Sequence, residues 1–453
     1  MKSIIFAVFV LIPVVLFGQF RITGELRPRP EWRHGYSRLP DSSSVSAAFI
    51  SQRTRIDLMY TSEKYDLKVS LQDVRVWGDD ELVSSTGFFG SKGSIDLKEG
   101  WVRLKIDERN SVKLGRQIWN YADGRILSRR NWNQAGIAYD AFLYSFQDSA
   151  MQADIGLSFN NNIQSIFGND YYLYETRFVF DSVSQKIRTE LIPQIPKIKT
   201  LNFLYLKKGV NKVDLSFIGI AAGYQKREAP EIIYLTGTYG LIGETIDGNQ
   251  KFTVAGYYQH GRNAAGMQVD AFMVNLDARF NTGKLSPGLG MNIISGQDQI
   301  RKSERYTEKD HFFDILYGAR HGYYGLMDYF SNMKNATAGA GLLDVFGGIG
   351  WKLTEKHKLA ADYHYFAAYA RVKDPGVEDP EEVLEKHLGS EIDLVYTFKL
   401  HDDITLNLGA STFLATEGLR KMQDVDPDSD EFSYWVWSML TVKPTIFDQE
   451  KER

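Results

Sequence analysis

The stretch Ala47–Tyr60, AAFISQRTRIDLMY, leaves a chain like this few ways to fold. Taken at every second position, it puts Ser51, Arg53, Arg55 and Asp57 on one side. The other side holds Ile50, Gln52, Thr54, Ile56, Leu58 and Tyr60. Side chains of a strand alternate between its two faces, so one face is charged and the other mostly apolar. A soluble sandwich would bury the apolar face. A membrane barrel would turn it to lipid and point both arginines into its lumen.

The same period of two recurs along the chain, with no helical periodicity of note. Met151, Ala153, Ile155, Leu157 and Phe159 oppose Gln152, Asp154, Gly156, Ser158 and Asn160. Tyr65, Leu67, Val69 and Leu71 oppose Asp66, Lys68, Ser70 and Gln72. In that segment the phase then changes to an apolar Val74 and Val76, which predicts a β-bulge at Gln72–Asp73. Between Phe20 and Val442 about eighteen such segments follow one another, the number and spacing of an up-and-down barrel. Several joints are tight, among them Asp247-Gly248-Asn249, Asn281-Thr282-Gly283 and His401-Asp402-Asp403. The expected fold is therefore an all-β, transmembrane, antiparallel β-barrel. Two connections are long, Asn161–Thr200 and Gln297–Gly341. The second contains YTEKDHFFDILYGARHGYYGLMDYF, too aromatic for a disordered linker. Such a loop folds inward as a constriction or packs on the rim.

Composition supports a barrel over a helical membrane protein. Mean hydropathy is −0.30, too polar for helical spans but ordinary where alternate residues face water. Aromatics are abundant, and Tyr60, Trp77, Trp101, Trp119, Trp351, Tyr434, Trp435 and Trp437 lie near strand ends, where a barrel carries its interfacial girdles. Lys2 precedes an apolar run, Ile4–Phe17, that is too short to span a bilayer and is followed by Gly18-Gln19. Residues 1–18 thus read as a secretory signal peptide and 19–453 as one barrel domain, with no composition break inside it. Cysteine is absent, which excludes disulfides and a lipid-modified N-terminal cysteine. The net charge of −4 gives no reason to expect nucleic acid as a partner.

Enzyme signatures are missing: there is no HExxH, GxSxG or Walker loop. His311 and His321 lack ligand spacing, so no metal or cofactor is expected. The basic residues are more telling. Arg53, Arg55, Arg75, Arg103 and Arg116 lie on alternating segments and Arg125 between them, with Asp57, Asp73 and Asp154 interleaved. In a solvated sheet these are ordinary surface charges. In a barrel they would line the lumen, where guanidinium groups bind carboxylates in two-point geometry and aspartates limit trapping.

Several segments together resemble the alginate-export outer-membrane porins, in the variety common in the Bacteroidetes. They are FISQRTRIDLMY with SLQDVRVWGDD, then VKLGRQIWNYADGRIL and RNWNQAGIAYDAF, then FFDILYGARHGYYGLMDYF before GLLDVF. The resemblance implies an eighteen-stranded barrel with an arginine-rich, anion-selective constriction, to which Arg53, Arg55, Arg75, Arg116 and Arg125 would contribute. The chain departs from that pattern in ending on DQEKER after Phe447 rather than on an aromatic residue. The expectation is a monomeric barrel in the outer-membrane lipid, passing small anions or an anionic, alginate-like polysaccharide without chemistry. Two other readings stay open: a secreted or periplasmic all-β carbohydrate-active enzyme or binding protein, and a closed-barrel outer-membrane receptor.

Overall fold

A computed structural model describes residues 18–78, 95–162, 164, 166–168, 171–181, 186–226, 229–245, 247–377 and 381–450. The expected signal segment, residues 1–18, lies outside the described residues except for Gly18, which begins the first strand. The strands in chain order are β1 (Gly18–His34), β2 (Ala47–Ser62), β3 (Tyr65–Val76), β4 (Ile95–Lys105), β5 (Asn110–Gln117), β6 (Tyr139–Gln147), β7 (Met151–Phe159), β8 (Tyr172–Asp181), β9 (Lys186–Pro196), β10 (Ile198–Val210) and β11 (Val213–Lys226). They continue with β12 (Ala229–Thr245), β13 (Gln250–Arg262), β14 (Gln268–Phe280), β15 (Leu285–Ile294), β16 (Lys309–Asp310), β17 (Leu342–Lys352), β18 (His357–Ala368), β19 (His387–His401), β20 (Ile404–Ala415), β21 (Ser433–Val442) and β22 (Thr445–Asp448).

Hairpin β8–β9 pairs only with itself, β16 is a two-residue bridge, and β22 continues β21. The other eighteen strands form one closed antiparallel ring, in which β7 pairs with β10, β15 with β17, and β1 with both β2 and β21. Closure removes the raw edges that an open sheet of this size would present. Pro28 and Pro30 sit within β1 without disturbing its register to β2. On the other side, β1 meets β21 at Leu26 and again from Glu31 to His34, and the unpaired interval holds both prolines, which have no N–H to offer.

Short turns close one end of the ring. Asn211 between β10 and β11 adopts φ 55°, and Gly283 between β14 and β15 adopts φ 88°, the left-handed geometry that such turns favour. Long connections leave the other end, which in barrels of this type faces the cell exterior.

The outer face carries Ile56, Leu67, Leu71, Leu241, Val254, Leu289 and Val436, all exposed. An apolar surface of this extent is stable only against lipid. Two rows of outward aromatics bound it. Near the turns lie the pairs Phe20–Phe447, Tyr60–Tyr65 and Phe252–Phe280, and near the loops Trp32–Tyr434 and Phe272–Tyr369. Not every aromatic expected in the girdles is there. Trp119, Trp435 and Trp437 are buried on the inner side, where loops fold against them.

The bulge lies one strand away from its expected place. Pairing of β2 with β3 runs unbroken from Thr61–Asp66 to Ser51–Val76, and the register shift falls between β3 and β4, with Lys98 as the extra residue. Val74 stays on the inner face opposite Arg53. Asp73 and Arg75 continue the outer set opposite Thr54 and Gln52. The outer set thus turns polar there with no change of phase, and Arg75 pairs with Asp73 at 2.6 Å.

Of the two long connections, Asn161–Thr200 contains the β8–β9 hairpin. Gln297–Gly341 folds into the barrel, where Phe313, Met327 and Phe330 are fully buried.

Candidate functional site

Alternation sets a charged row along the inside of β1, with Glu25, Arg27, Arg29, Glu31 and Arg33 on one face. Register brings Arg53, Arg55 and Asp57 of β2 alongside, then Asp66, Lys68 and Gln72 of β3. On β4 the register shift lets Lys98 and Glu99 both turn inward, followed by Arg103 and Lys105. The opposite wall is acidic. It presents Asp277 of β14, Asp344 of β17, Asp362 of β18, and Glu391 and Asp393 of β19, with Arg279 and His364 among them. A solute between the two walls therefore experiences a transverse field, little screened because the walls are of low dielectric.

Two loops enter this space from opposite sides. Residues 118–138, after β5, are clamped to the basic wall through their backbone carbonyls. Arg27 donates to the carbonyls of Asn131 (2.8 Å) and Trp132 (3.2 Å), Arg29 to Trp132 (3.1 Å), and Arg53 to Gln134 (3.2 Å). Gln72 donates to the Ala135 carbonyl at 3.2 Å, and the Arg29 guanidinium lies 4.3 Å from the Trp132 ring centre. Residues 295–341, after β15, are clamped to the acidic wall through their N–H groups. Met327 N–H donates to Glu391 Oε1 (2.7 Å) and Leu326 N–H to Asp393 Oδ2 (3.4 Å). Gly325, at φ 82°, passes directly over Glu391, where a Cβ would lie 2.5 Å from its carboxylate. So each wall grips its loop with the charge suited to the backbone group it meets.

The loops then meet each other. Ala319 N–H donates to the Gly124 carbonyl (2.8 Å), Arg130 Nε to the Gly318 carbonyl (3.0 Å) and Arg130 Nη2 to the Leu316 carbonyl (3.0 Å). Trp132 stacks on His321 with centroids 4.1 Å apart. The Tyr323 hydroxyl donates to the Asp123 carbonyl. Burial, with Arg320 beside it, lowers the Arg130 guanidinium to about 10, so it stays cationic at neutral pH. On the turn side of this plug two lumenal cavities remain. One, of about 640 Å³, is lined by Arg103, Lys105, Lys113 and Asp154. The other, of about 360 Å³, lies against Asp277, Asp362, His364 and Asp393.

The sequence-derived candidates divide into three groups. Arg55, Asp57, Arg103 and Asp154 are on the inner wall, and Asp154, on β7, is almost fully buried there. Arg53 is on the inner wall and Arg125 on the first loop, but neither faces open space. Arg53 is completely buried and spends its donors on Glu25, Asn131 and the Gln134 carbonyl. Arg125 is 3% exposed. Asp73, Arg75 and Arg116 are on the outer face, and this corrects the expectation for all three. Arg116 pairs in register with Gly100 and Asp140, on the outward parity of Leu114, and forms an exposed ion pair with Asp140 (3.2 Å).

His311 and His321 do not come together: one stacks on Tyr306 and the other on Trp132. Sequence reasoning missed the acidic wall and the loop at 118–138. The signal for the loop was present in WNYADGRILSRRNWNQAG, a connection too apolar and aromatic to lie in solvent.

No family model and no curated protein matches the chain. Solved structures do. It is similar to Acinetobacter baumannii OccAB4 (TM-score 0.57, 11% identity, covering 94% of this chain and 98% of that one). It is also similar to Pseudomonas aeruginosa OpdL (TM-score 0.58, 10% identity, 94% and 99%) and to the outer membrane protein opdK of the same organism (0.55, 10%, 94% and 98%). At such identity the likeness shows the fold alone: a closed, eighteen-stranded, porin-type antiparallel barrel.

Proposed function

We propose that this barrel is a monomeric outer-membrane channel for small carboxylate-bearing solutes, drawn in by the cations of β2–β5 and passed without chemical change. The observation that carries the reading is the inner-face series Arg55, Lys68, Arg103 and Lys105, whose side chains keep access to the lumen between 11% and 43%. Each has a carboxylate within ion-pairing reach, which leaves an exchangeable charge rather than a trap. The two loops meeting across the lumen favour small solutes over a polymer.

An alginate-like polysaccharide is the second reading, supported by the segments that resemble the alginate-export porins. Planar-bilayer recordings of the refolded mature protein in a salt gradient test both. Anion-selective current that small carboxylates reduce at millimolar concentration supports the first reading. Block by oligouronates at lower concentration than by monouronates supports the second. Insertion without conductance overturns both in favour of a closed receptor, and cation-selective current overturns the role given to the arginines.

A further inference from the structure

The outer face bears a second charged feature, unrelated to the lumen. Where β15 ends early at Ile294, the chain from Ser295 to His311 runs along the rim and encloses a cleft of about 830 Å³. Five cations line it: Arg301, Arg305, Lys309, Arg371 and Lys386. Its two carboxylates are already engaged, Asp270 by Lys309 (2.8 Å) and Asp298 by Arg371 (2.9 Å). Among the described residues no carboxylate reaches ion-pairing distance of Arg301, Arg305 or Lys386. Arg301 lies over the Tyr306 ring at 4.5 Å, and among the described residues Lys386 Nζ donates to the Tyr369 carbonyl (3.0 Å).

The height of this cleft identifies its occupant. Its floor is Phe272 and Tyr369, packed edge to face at 5.6 Å in the outward aromatic row at the loop end. Such rows mark the headgroup level of a bilayer. Directly below, Val274, Leu276, Leu289 and Val345 face lipid on β14, β15 and β17. A cationic cleft resting on an aromatic sill, with an apolar wall beneath, matches an amphiphile with an anionic head. We propose that this cleft binds the phosphorylated headgroup of an outer-leaflet glycolipid, its phosphates on Arg301, Arg305 and Lys386 and its acyl chains along β14–β17. Guanidinium groups suit phosphate oxygens in two-point geometry, and each cation at a membrane surface strengthens attachment of an anionic lipid.

The test uses the full mature protein in detergent and native mass spectrometry with a bisphosphorylated diglucosamine glycolipid. The wild type is expected to retain one glycolipid. Arg301→Ser/Arg305→Ser/Lys386→Ser is expected to bind it about a hundredfold more weakly, while Arg301→Lys/Arg305→Lys, which keeps the charge and loses the two-point geometry, falls between the two. Heat-modifiable gel mobility confirms that each variant is a closed barrel. Equal retention by the wild type and the serine variant overturns the site, as does equal binding of the dephosphorylated glycolipid. Displacement by inorganic phosphate at millimolar concentration overturns the lipid as occupant and leaves a small-anion site.

Discussion

Arg125, in the loop that follows β5, donates from Nη1 to Oδ1 of Asn292 on β15, at 2.8 Å. The two strands stand on opposite sides of the ring, so one guanidinium bridges the lumen. Its Nε is held by Asp123 (2.7 Å) and its plane lies 4.0 Å from the centre of the Tyr323 ring on the second loop. Asn292 in turn donates to Asp344 (2.8 Å), which accepts from His364 Nδ1 when that nitrogen carries the proton (2.9 Å). A continuous polar chain thus runs from the first loop to the acidic wall.

Arg125→Ala removes the centre of that chain and leaves Asp123 and Asn292 without their shared partner. The substitution is expected to cost about 3 kcal/mol, as truncating one member of a buried charge pair does. It is also expected to raise single-channel conductance, because the two loops lose a principal tie. A denaturant midpoint in micelles and bilayer currents measure the two effects. Unchanged currents would show that the loops do not set the narrowest point.

Selectivity separates inner from outer arginines. Arg103→Ala with Lys105→Ala leaves the fully buried Asp66 uncompensated and is expected to shift the zero-current potential toward cations. Arg53→Ala with Arg55→Ala is expected to do the same and also to loosen the loop at 118–138. Arg116→Ala, on the outer face, is the control and should leave the potential where it was. A shift with Arg116→Ala equal to that with Arg103→Ala would remove the lumenal cations from the account.

Close packing of the inner face is tested at Gly156. It sits opposite Phe203 in the β7–β10 register, and a Cβ there would lie 2.0 Å from the ring. Gly156→Val forces the ring aside at about 1–3 kcal/mol, the usual result of overpacking. Less folded barrel on a heat-modifiability gel is the expected outcome. Gly409, under the Trp437 ring, should behave alike.

One loop contact is expected to depend on pH. Helix α1 (Glu417–Met422) is tied to the connection after β18 by Lys421, which bonds Asp374 at 2.8 Å. That bond, with the Gly376 N–H, holds the Asp374 carboxyl below the ordinary aspartate range, and Lys421 is correspondingly raised. A depressed carboxyl contributes its stabilisation above its unfolded pKa and loses it as pH falls through the folded one. The tie is therefore complete at neutral pH and released in strong acid. A fall in the amide protection factors of α1 as pH drops below the ordinary aspartate range, abolished as a difference by Asp374→Asn, is the measurement.

The strands were legible because lipid enforces strict alternation: Leu67, Val69 and Leu71 cannot trade faces with Lys68 and Ser70 without placing charge in hydrocarbon. The rule lapses at the rim. Asp73 and Arg75 share the outward parity of Leu71 and pair with each other at 2.6 Å, so the sequence there resembles an inner face. Arg116 was readable, since Val112 and Leu114 give it the outward parity. The acidic wall was hidden for another reason. Asp277, Asp344, Asp362, Glu391 and Asp393 are scattered over more than a hundred positions, and only ring closure brings them together. The inward loop at 295–341 was visible from its aromatics, and Trp119, Tyr121 and Trp132 carry the same signal in its counterpart at 118–138, whereas the clamp on that loop uses backbone carbonyls that any sequence would supply.

The seam has a kinetic consequence. Trp435 Nε1 donates to Glu31 Oε2 across the β1–β21 junction at 3.0 Å, joining positions 404 apart in the chain. All other neighbours in the ring are joined through far shorter stretches, so sheet growth proceeds by hairpins and this last zipping waits for the whole polypeptide. Until then β1 and the newest strand are sticky rims, open to pairing with any other nascent sheet. Covering the β1 edge until β21 arrives is therefore expected to speed closure, and leaving it bare to favour pairing between molecules.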